Sequence, residues 1–324
     1  MIRSSMARLA PVLAFALSLA GAASAQPAPD AKPLPFALKQ IGPGVYAAID
    51  GPEGKSGSNA GFVIGDDGVL VVDSFWDPNS TRALVAEIRR LTPKPIRWVV
   101  NTHYHLDHTG GDAVLREAGA EIIAHRNVRT WIHTGNVHLL GGDKITPAFK
   151  AQVDALVSPD LVTDKDLSVW LGSRRIDIRT VEGHTGGDLV ISIPDAKVLF
   201  CGDMLWRRFP PNIIDGTVPK WIASVKGFER LPGAADMTFV PGHGDVAKLA
   251  DVKDFDAYLT DLTAIVKAKR AKGLKGDDLV KAALPEMKAK WGSWPYLDRS
   301  APREIRYMEA ELAGTKVKPI PAAD

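Results

Sequence analysis

The chain has 324 residues, 45% of them apolar and 24% charged, with no low-complexity tract. That is the balance of a globular protein with one large core or two smaller ones. The formal net charge is only +2, and two of the basic residues, Arg3 and Arg8, precede an apolar run, so charge gives no reason to expect nucleic acid or an anionic membrane as partner.

That run, Leu9 to Ala20, is followed by Ala23-Ser24-Ala25. A basic start, a short apolar stretch and a small-x-small site read as a secretory signal peptide over residues 1–25, cleaved after Ala25, which makes the protein periplasmic or secreted. The mature chain then carries 38 Lys+Arg against 38 Asp+Glu. No later stretch approaches the ~20 apolar residues of a membrane span. Cys201 is the single cysteine, so an internal disulfide is impossible even in an oxidising compartment.

Residues 26–40, rich in Pro and Ala, are expected to be a flexible N-terminus. Gly44 to Ile49 reads as a first strand, and Ala60–Ile64 with Val69–Val72 as a hairpin around Gly65-Asp66-Asp67-Gly68. Asp73 ends that hairpin. Asp77-Pro78 opens a helix by cap and first-position proline, and Ile96 to Val100 is a buried strand. A short helix over 112–118, a strand over 120–124, a helix over 126–140 and an irregular stretch to Pro159 follow. Leu167–Leu171, Ile176–Val181, Leu189–Ile193, Val198–Cys201 and Met237–Val240 read as strands, with a helix from Trp221 to Leu231. Asp251 to Arg270 is amphipathic and suits a sheet face. The tail to Leu312 adds one or two helices. This order divides the chain into a catalytic domain over 41–250 and a helical extension over 251–324 packed on it.

Four metal-capable side chains fall in six residues just after the strand Ile96–Val100, as His103, His105, Asp107 and His108. Imidazole nitrogen and carboxylate oxygen are the donors that zinc-like cations prefer. Further along, His184 lies in Gly-His-Thr-Gly-Gly-Asp, Asp203 ends a strand as Gly-Asp, and His243 lies in Pro-Gly-His-Gly. Glycine at these points lets the backbone turn sharply beside a ligand. His125, His133 and His138 match no such pattern and read as structural or wall residues.

These four segments, in this order, resemble the metallo-β-lactamase superfamily over roughly residues 44–245. The resemblance implies an α+β fold, a four-layer αβ/βα sandwich of two mixed sheets flanked by helices, with a metal pair at one sheet edge. It implies one ion on His103, His105 and His184, another on Asp107, His108 and His243, and Asp203 bridging them. The implied cofactor is two zinc ions per chain, with iron or manganese as alternatives. Two such ions ~3.5–4 Å apart share a water and lower its pKa from about 15.7 towards neutrality. The expected activity is hydrolysis of an ester, thioester, lactone or amide-type bond, with Asp107 orienting the nucleophile and passing a proton. A β-lactamase is the alternative within the class, although two classes of true β-lactamases carry Cys or Ser where this chain has Asp203. An iron-dependent oxidoreductase of the persulfide dioxygenase kind is the alternative outside it.

Asp73 is expected either to steady a ligand histidine or simply to end a strand. Asp188 either caps its turn or does the same. Cys201 and Asp203, two apart on one strand, are expected to point alike. The substrate is expected to be a small molecule, with an anionic group taken by Arg207 or Arg208. Tyr104, Trp206 and the Phe75-Trp76 pair are the other expected walls.

Overall fold

The computed structural model describes residues 33–319 together with Met1. The leader and the cleavage site after Ala25 lie outside these described residues. The first sheet holds β1 (Phe36–Gly42), β2 (Val45–Asp50), β3 (Ala60–Ile64), β4 (Val69–Val72), β5 (Ile96–Val100), β6 (Glu121–His125) and β7 (Leu161–Thr163), side by side in chain order. Strands β1 to β4 pair antiparallel, and β4 to β7 pair parallel. The second sheet holds β8 (Leu167–Leu171), β9 (Arg174–Val181), β10 (Asp188–Ile193), β11 (Val198–Trp206) and β12 (Thr238–His243). Only its β11–β12 pair is parallel.

Helices α1 (Pro78–Leu91), α2 (Leu106–Thr109), α3 (Asp112–Glu117), α4 (Arg126–Trp131), α5 (Thr134–Leu139) and α6 (Pro147–Asp154) belong to the first half. The second half carries α7 (Val218–Glu229), α8 (Leu249–Ala271), α9 (Gly276–Trp291) and α10 (Leu297–Ala313). Strand alternation divides the apolar residues between layers. Val45, Ala47, Ile49, Leu70 and Val72 face the second sheet and meet Ile176, Ile178, Ile191 and Phe200. Val69 and Val71 face outward onto Leu84, Val85 and Ile88 of α1. The outer face of the second sheet is covered by α7 to α10 through Trp221, Phe255, Leu259, Met287, Ile305 and Met308. The result is the four-layer αβ/βα sandwich that the motif resemblance implies. No helix of the described residues is long and apolar enough to cross a membrane.

Helix α1 starts as expected: Asp77 accepts the Asn79 amide at 2.9 Å, with Pro78 at its first position. Its Leu84 and Ile88 are fully enclosed, each contributing about 1.5–3 kcal/mol by leaving water. Four local expectations differ. The flexible N-terminus expected over 26–40 gives way to β1 at Phe36, which stacks on Phe75 at 5.2 Å and begins the pairing with β2. Phe75 is therefore a core residue and forms no rim. The irregular stretch before Pro159 contains α6, started by Thr146, which accepts the Phe149 amide, and by Pro147. The helix expected over 126–140 is two helices, broken at His133, whose Nδ1 meets the Val153 carbonyl at 2.9 Å. Finally, β11 does not end at Asp203 but runs on to Trp206, past a register shift at Gly202.

Candidate metal centre

The seven expected donors converge where the segment after β5, the turn before β10, the middle of β11 and the end of β12 meet. His103, His105, His184 and Asp203 offer ligand atoms within 4.8 Å of one another, and so do Asp107, His108 and His243. Asp203 lies between the groups. Its Oδ2 is 3.2 Å from His184 Nε2 and 3.8 Å from His103 Nε2, whereas its Oδ1 is 3.1 Å from His108 Nε2 and 3.4 Å from His243 Nε2. Asp107 Oδ2 stands 3.3 Å from His243 Nε2 and 3.5 Å from His108 Nε2.

Local backbone chemistry makes this convergence possible. Asp203 arrives on the bulge of β11, where Gly202 has φ +50° and lies against Thr102. Gly242 lies so close that a Cβ there would come within 1.9 Å of Asp203 Oδ1. Asn59 ties down the end of β12, its Nδ2 donating to the Pro241 carbonyl at 2.8 Å and to the Gly244 carbonyl at 2.7 Å. Asn136 does the same for the first cluster, donating to the Tyr104 carbonyl and accepting the Leu106 amide, at 2.7 and 2.8 Å.

Three of the five rings, His103, His105 and His108, have a hydrogen-bond partner that fixes their orientation. Asp73 accepts from His108 Nδ1 at 2.8 Å and from the amide and hydroxyl of Thr102 at 2.7 and 2.9 Å. The Thr102 hydroxyl has given its only hydrogen to Asp73, so at 3.0 Å it accepts from His103 Nδ1. Asp73 thus steadies two rings, one directly and one through Thr102, and leaves both Nε2 lone pairs free. His105 Nε2 donates to Asp215 Oδ2 at 3.1 Å, which leaves Nδ1 facing His184 Nε2 at 3.0 Å. Asp188 accepts the Thr185 amide through both oxygens at 2.9 and 3.0 Å, with the Thr185 hydroxyl as a third donor. It is the cap of the Gly183–Asp188 turn.

Charge follows this geometry. Burial opposes ionisation of Asp203, but His243, His108 and His184 outweigh it and hold the carboxyl well below its ordinary range. Burial likewise opposes protonation of His243, yet Asp203 and Asp107 raise it to about 9. Burial, reinforced by His108 and His105, pushes His103 well below its usual value. Asp107 is held low by His108 and His243 against the cost of burial. The centre therefore sets two carboxylates among five imidazoles in a nearly dry site.

The donors fit metal ions on an observation independent of motif. His103 Nε2, His108 Nε2, His243 Nε2 and Asp203 Oδ1 are buried and make no hydrogen bond, although they approach one another. Buried polar atoms are rarely left in that state. Lone pairs aimed at common points, not along N–H···O lines, suit a shared cation.

Other expectations need correction. Tyr104 does not face substrate: it is fully buried, and its hydroxyl donates to Asp215 Oδ2 at 2.6 Å. It packs edge-on against His105, ring centres 4.8 Å apart, and shares the Asp215 oxygen that braces that ring. Cys201 is not beside Asp203, because the Gly202 bulge breaks the two-residue alternation. It packs in the helical core, where burial pushes its thiol up. Arg207 does not reach into open space; its Nε is tied to Asp251 at 2.9 Å, with Asp245 at 3.9 Å. Arg208 is exposed with φ +56°. Trp206 stacks on His243, ring centres 4.0 Å apart. Asp215, Thr102, Asn59 and Asn136 had carried no role in the sequence reading. His138, expected to be a structural or wall residue, lies 3.5 Å from Asp215.

The model of the metallo-beta-lactamase superfamily matches residues 54–257. The alpha subunit of 2,4-dinitroanisole O-demethylase from Nocardioides sp. is 26% identical over 196 residues, 55% of this chain and 50% of its own length. Hydroxyacylglutathione hydrolase from Gloeobacter violaceus is 29% identical over 174 residues, 53% of this chain and 59% of its own. The match thus spans half of the first relative and 59% of the second. The solved metallo-beta-lactamase from Pontibacter korlensis superposes with a TM-score of 0.55 at 19% identity, covering 69% of this chain and 99% of that one.

Proposed function

The chain belongs to the metallo-beta-lactamase superfamily, matched from residue 54 to 257, and from this premise we propose that it is an exported binuclear zinc hydrolase. The target bond is an ester, thioester, lactone or amide-type bond. One observation carries the reading: the two oxygens of Asp203 are divided between two sets of donors, Oδ2 towards His103 and His184, Oδ1 towards His108 and His243. A carboxylate so placed would hold an ion on each of its oxygens, one shared with each set of donors. His103, His105 and His184 would hold one ion, and Asp107, His108 and His243 the other. The all-nitrogen and oxygen donor set suits zinc, with iron and manganese next. Export rests on the leader-like residues 1–25.

When bound, such a pair supplies Lewis acidity and a water of lowered pKa. The protein's own residues do the rest. Side-chain exposure is 27% at Asp107 and 17% at His243, against 2% or less at the other histidines and Asp203. Substrate therefore meets the centre from the Asp107–His243 side. Asp107, held ionised by His108 and His243, is placed to accept a proton on a carboxylate oxygen and deliver it to the leaving group. Asp73, Thr102 and Asp215 keep the enclosed rings from turning, so no reorganisation is needed as charge develops.

The test is a turnover screen of purified mature protein against a lactone, a thioester, a phosphodiester and a cephalosporin, with metal content measured in parallel. Hydrolysis with two zinc ions per chain, abolished by Asp203→Ala, is the expected result. One iron per chain with oxygen uptake contradicts it and favours oxidation.

A further inference from the structure

A cavity of about 400 Å³ lies beside the centre, between the segment after β11 and the start of α10. Trp206, Phe209, Tyr296, Arg299 and Arg303 are among its lining residues. Trp206 joins it to the metal centre, since the same indole stacks on His243 with ring planes 30° apart. The cavity therefore adjoins the side from which substrate meets Asp107 and His243. Its volume falls within the usual range for small-molecule sites.

The chemistry of its walls is specific. Phe209 and Tyr296 lie with ring centres 5.6 Å apart, one from each side of the cleft. Tyr296 is held in a left-handed conformation, φ +64°, and 55% of it is exposed, which is unusual for so large a ring. Arg299 and Arg303 are one helical turn apart on α10, so both project from one face. Neither makes an ion pair or side-chain hydrogen bond among the described residues, whereas Arg306 on the same helix is paired with Asp277 and Arg207 with Asp251. Two free guanidinium groups above aromatic walls form a receptor for a planar anion. The first turn of α10 adds the positive end of its dipole.

We propose that this cavity is the substrate-recognition subsite, and that it takes the carboxylate of an organic acid with a flat apolar body. Arg299 and Arg303 bind the carboxylate, Trp206, Phe209 and Tyr296 form a continuous wall against one face of the body, and the scissile bond extends past Trp206 to Asp107. This rests on the hydrolase reading for its direction but not for its binding chemistry. Tyr296, Arg299 and Arg303 lie beyond residue 257, where the family match ends. The helical extension, not the shared catalytic fold, would then set specificity in this chain.

The test is calorimetric binding of phenylacetate and of its neutral counterpart phenylacetamide to the metal-loaded full chain. Binding is compared with the single variants Arg299→Ala and Arg303→Ala and with the double variant. The expected result is preference for phenylacetate, weakened at least about ten-fold in the double variant, with phenylacetamide affinity unmoved. Both arginines are exposed, so melting temperatures should stay near that of the parent. In kinetics, a substrate with a free carboxylate should show the loss in KM and little of it in kcat. Equal affinity for acid and amide, or phenylacetate binding that survives the double substitution, overturns the proposal. The second outcome would mean that the ions themselves hold the carboxylate. Arginine-dependent phenylacetate binding with no turnover of any substrate would leave this subsite standing and contradict the hydrolase reading alone.

Discussion

The two halves of the metal centre are built differently. The enclosed half, His103, His105 and His184, is almost free of solvent, and two of its rings are oriented by Thr102 and Asp215. The open half has Asp107 and His243 at the surface, with Trp206 against His243 in place of a carboxylate. The difference teaches a division of labour. On the hydrolase reading proposed above, donors locked in a dry shell would fix an ion, while donors at the edge would leave room for substrate and for a proton in transit.

That division can be broken one residue at a time. The largest effect is expected from Asp107→Asn, which removes the proposed proton carrier from the open half. It should lower kcat by about 10²–10⁴-fold while the enclosed half keeps its ion. Steady-state kinetics with metal analysis checks this, and equal loss of metal from both halves would erase the distinction. Next comes Asp215→Asn, which weakens the brace on His105. Metal affinity should fall by about 10–100-fold, read by competition with a chelator, whereas the reloaded enzyme should recover much of its kcat. A kcat that stays low at saturating metal would make Asp215 part of the chemistry instead.

The smallest effect lies in neither half and shows what a buried carboxyl costs without a cation. Glu304 on α10 is enclosed and accepts the Tyr258 hydroxyl at 2.5 Å. Burial pushes its carboxyl from an ordinary 4.5 up to about 8. The folded protein thus keeps a proton that the unfolded chain releases above 4.5, so the stabilisation is complete below that pH and is lost as pH rises towards 8. Glu304→Gln should flatten this decline, so that its melting temperature falls less than the parent's as pH rises through the window. Thermal melts of both proteins at the two ends of the window would show it; parallel declines would contradict it.

How much was legible in the sequence follows the same physical lines. Six of the seven donors could be read because they sit at strand ends or in turns marked by glycine or by their neighbours, and Asp203 because Gly202 precedes it within β11. Residues held by a local irregularity were not legible. The Gly202 bulge parts Cys201 from Asp203, and nothing in Phe-Cys-Gly-Asp announces it. Tyr104 was misread because its neighbours' role was extended to it, although its hydroxyl is spent on Asp215, 111 residues away in the chain. Arg207 looked free because its partner Asp251 is 44 residues away. The cavity under α10 joins residues about 90 positions apart, a juxtaposition that helix packing decides. The leader and the division at residue 251 stay readings of sequence pattern.

Metal stoichiometry tests the central claim most directly. Elemental analysis of the purified chain after reloading and desalting should find close to two divalent ions per chain, falling to one or fewer in Asp203→Ala. One ion per chain in the parent protein, unchanged by that substitution, would contradict the bridging role of Asp203 and the hydrolytic mechanism built on it.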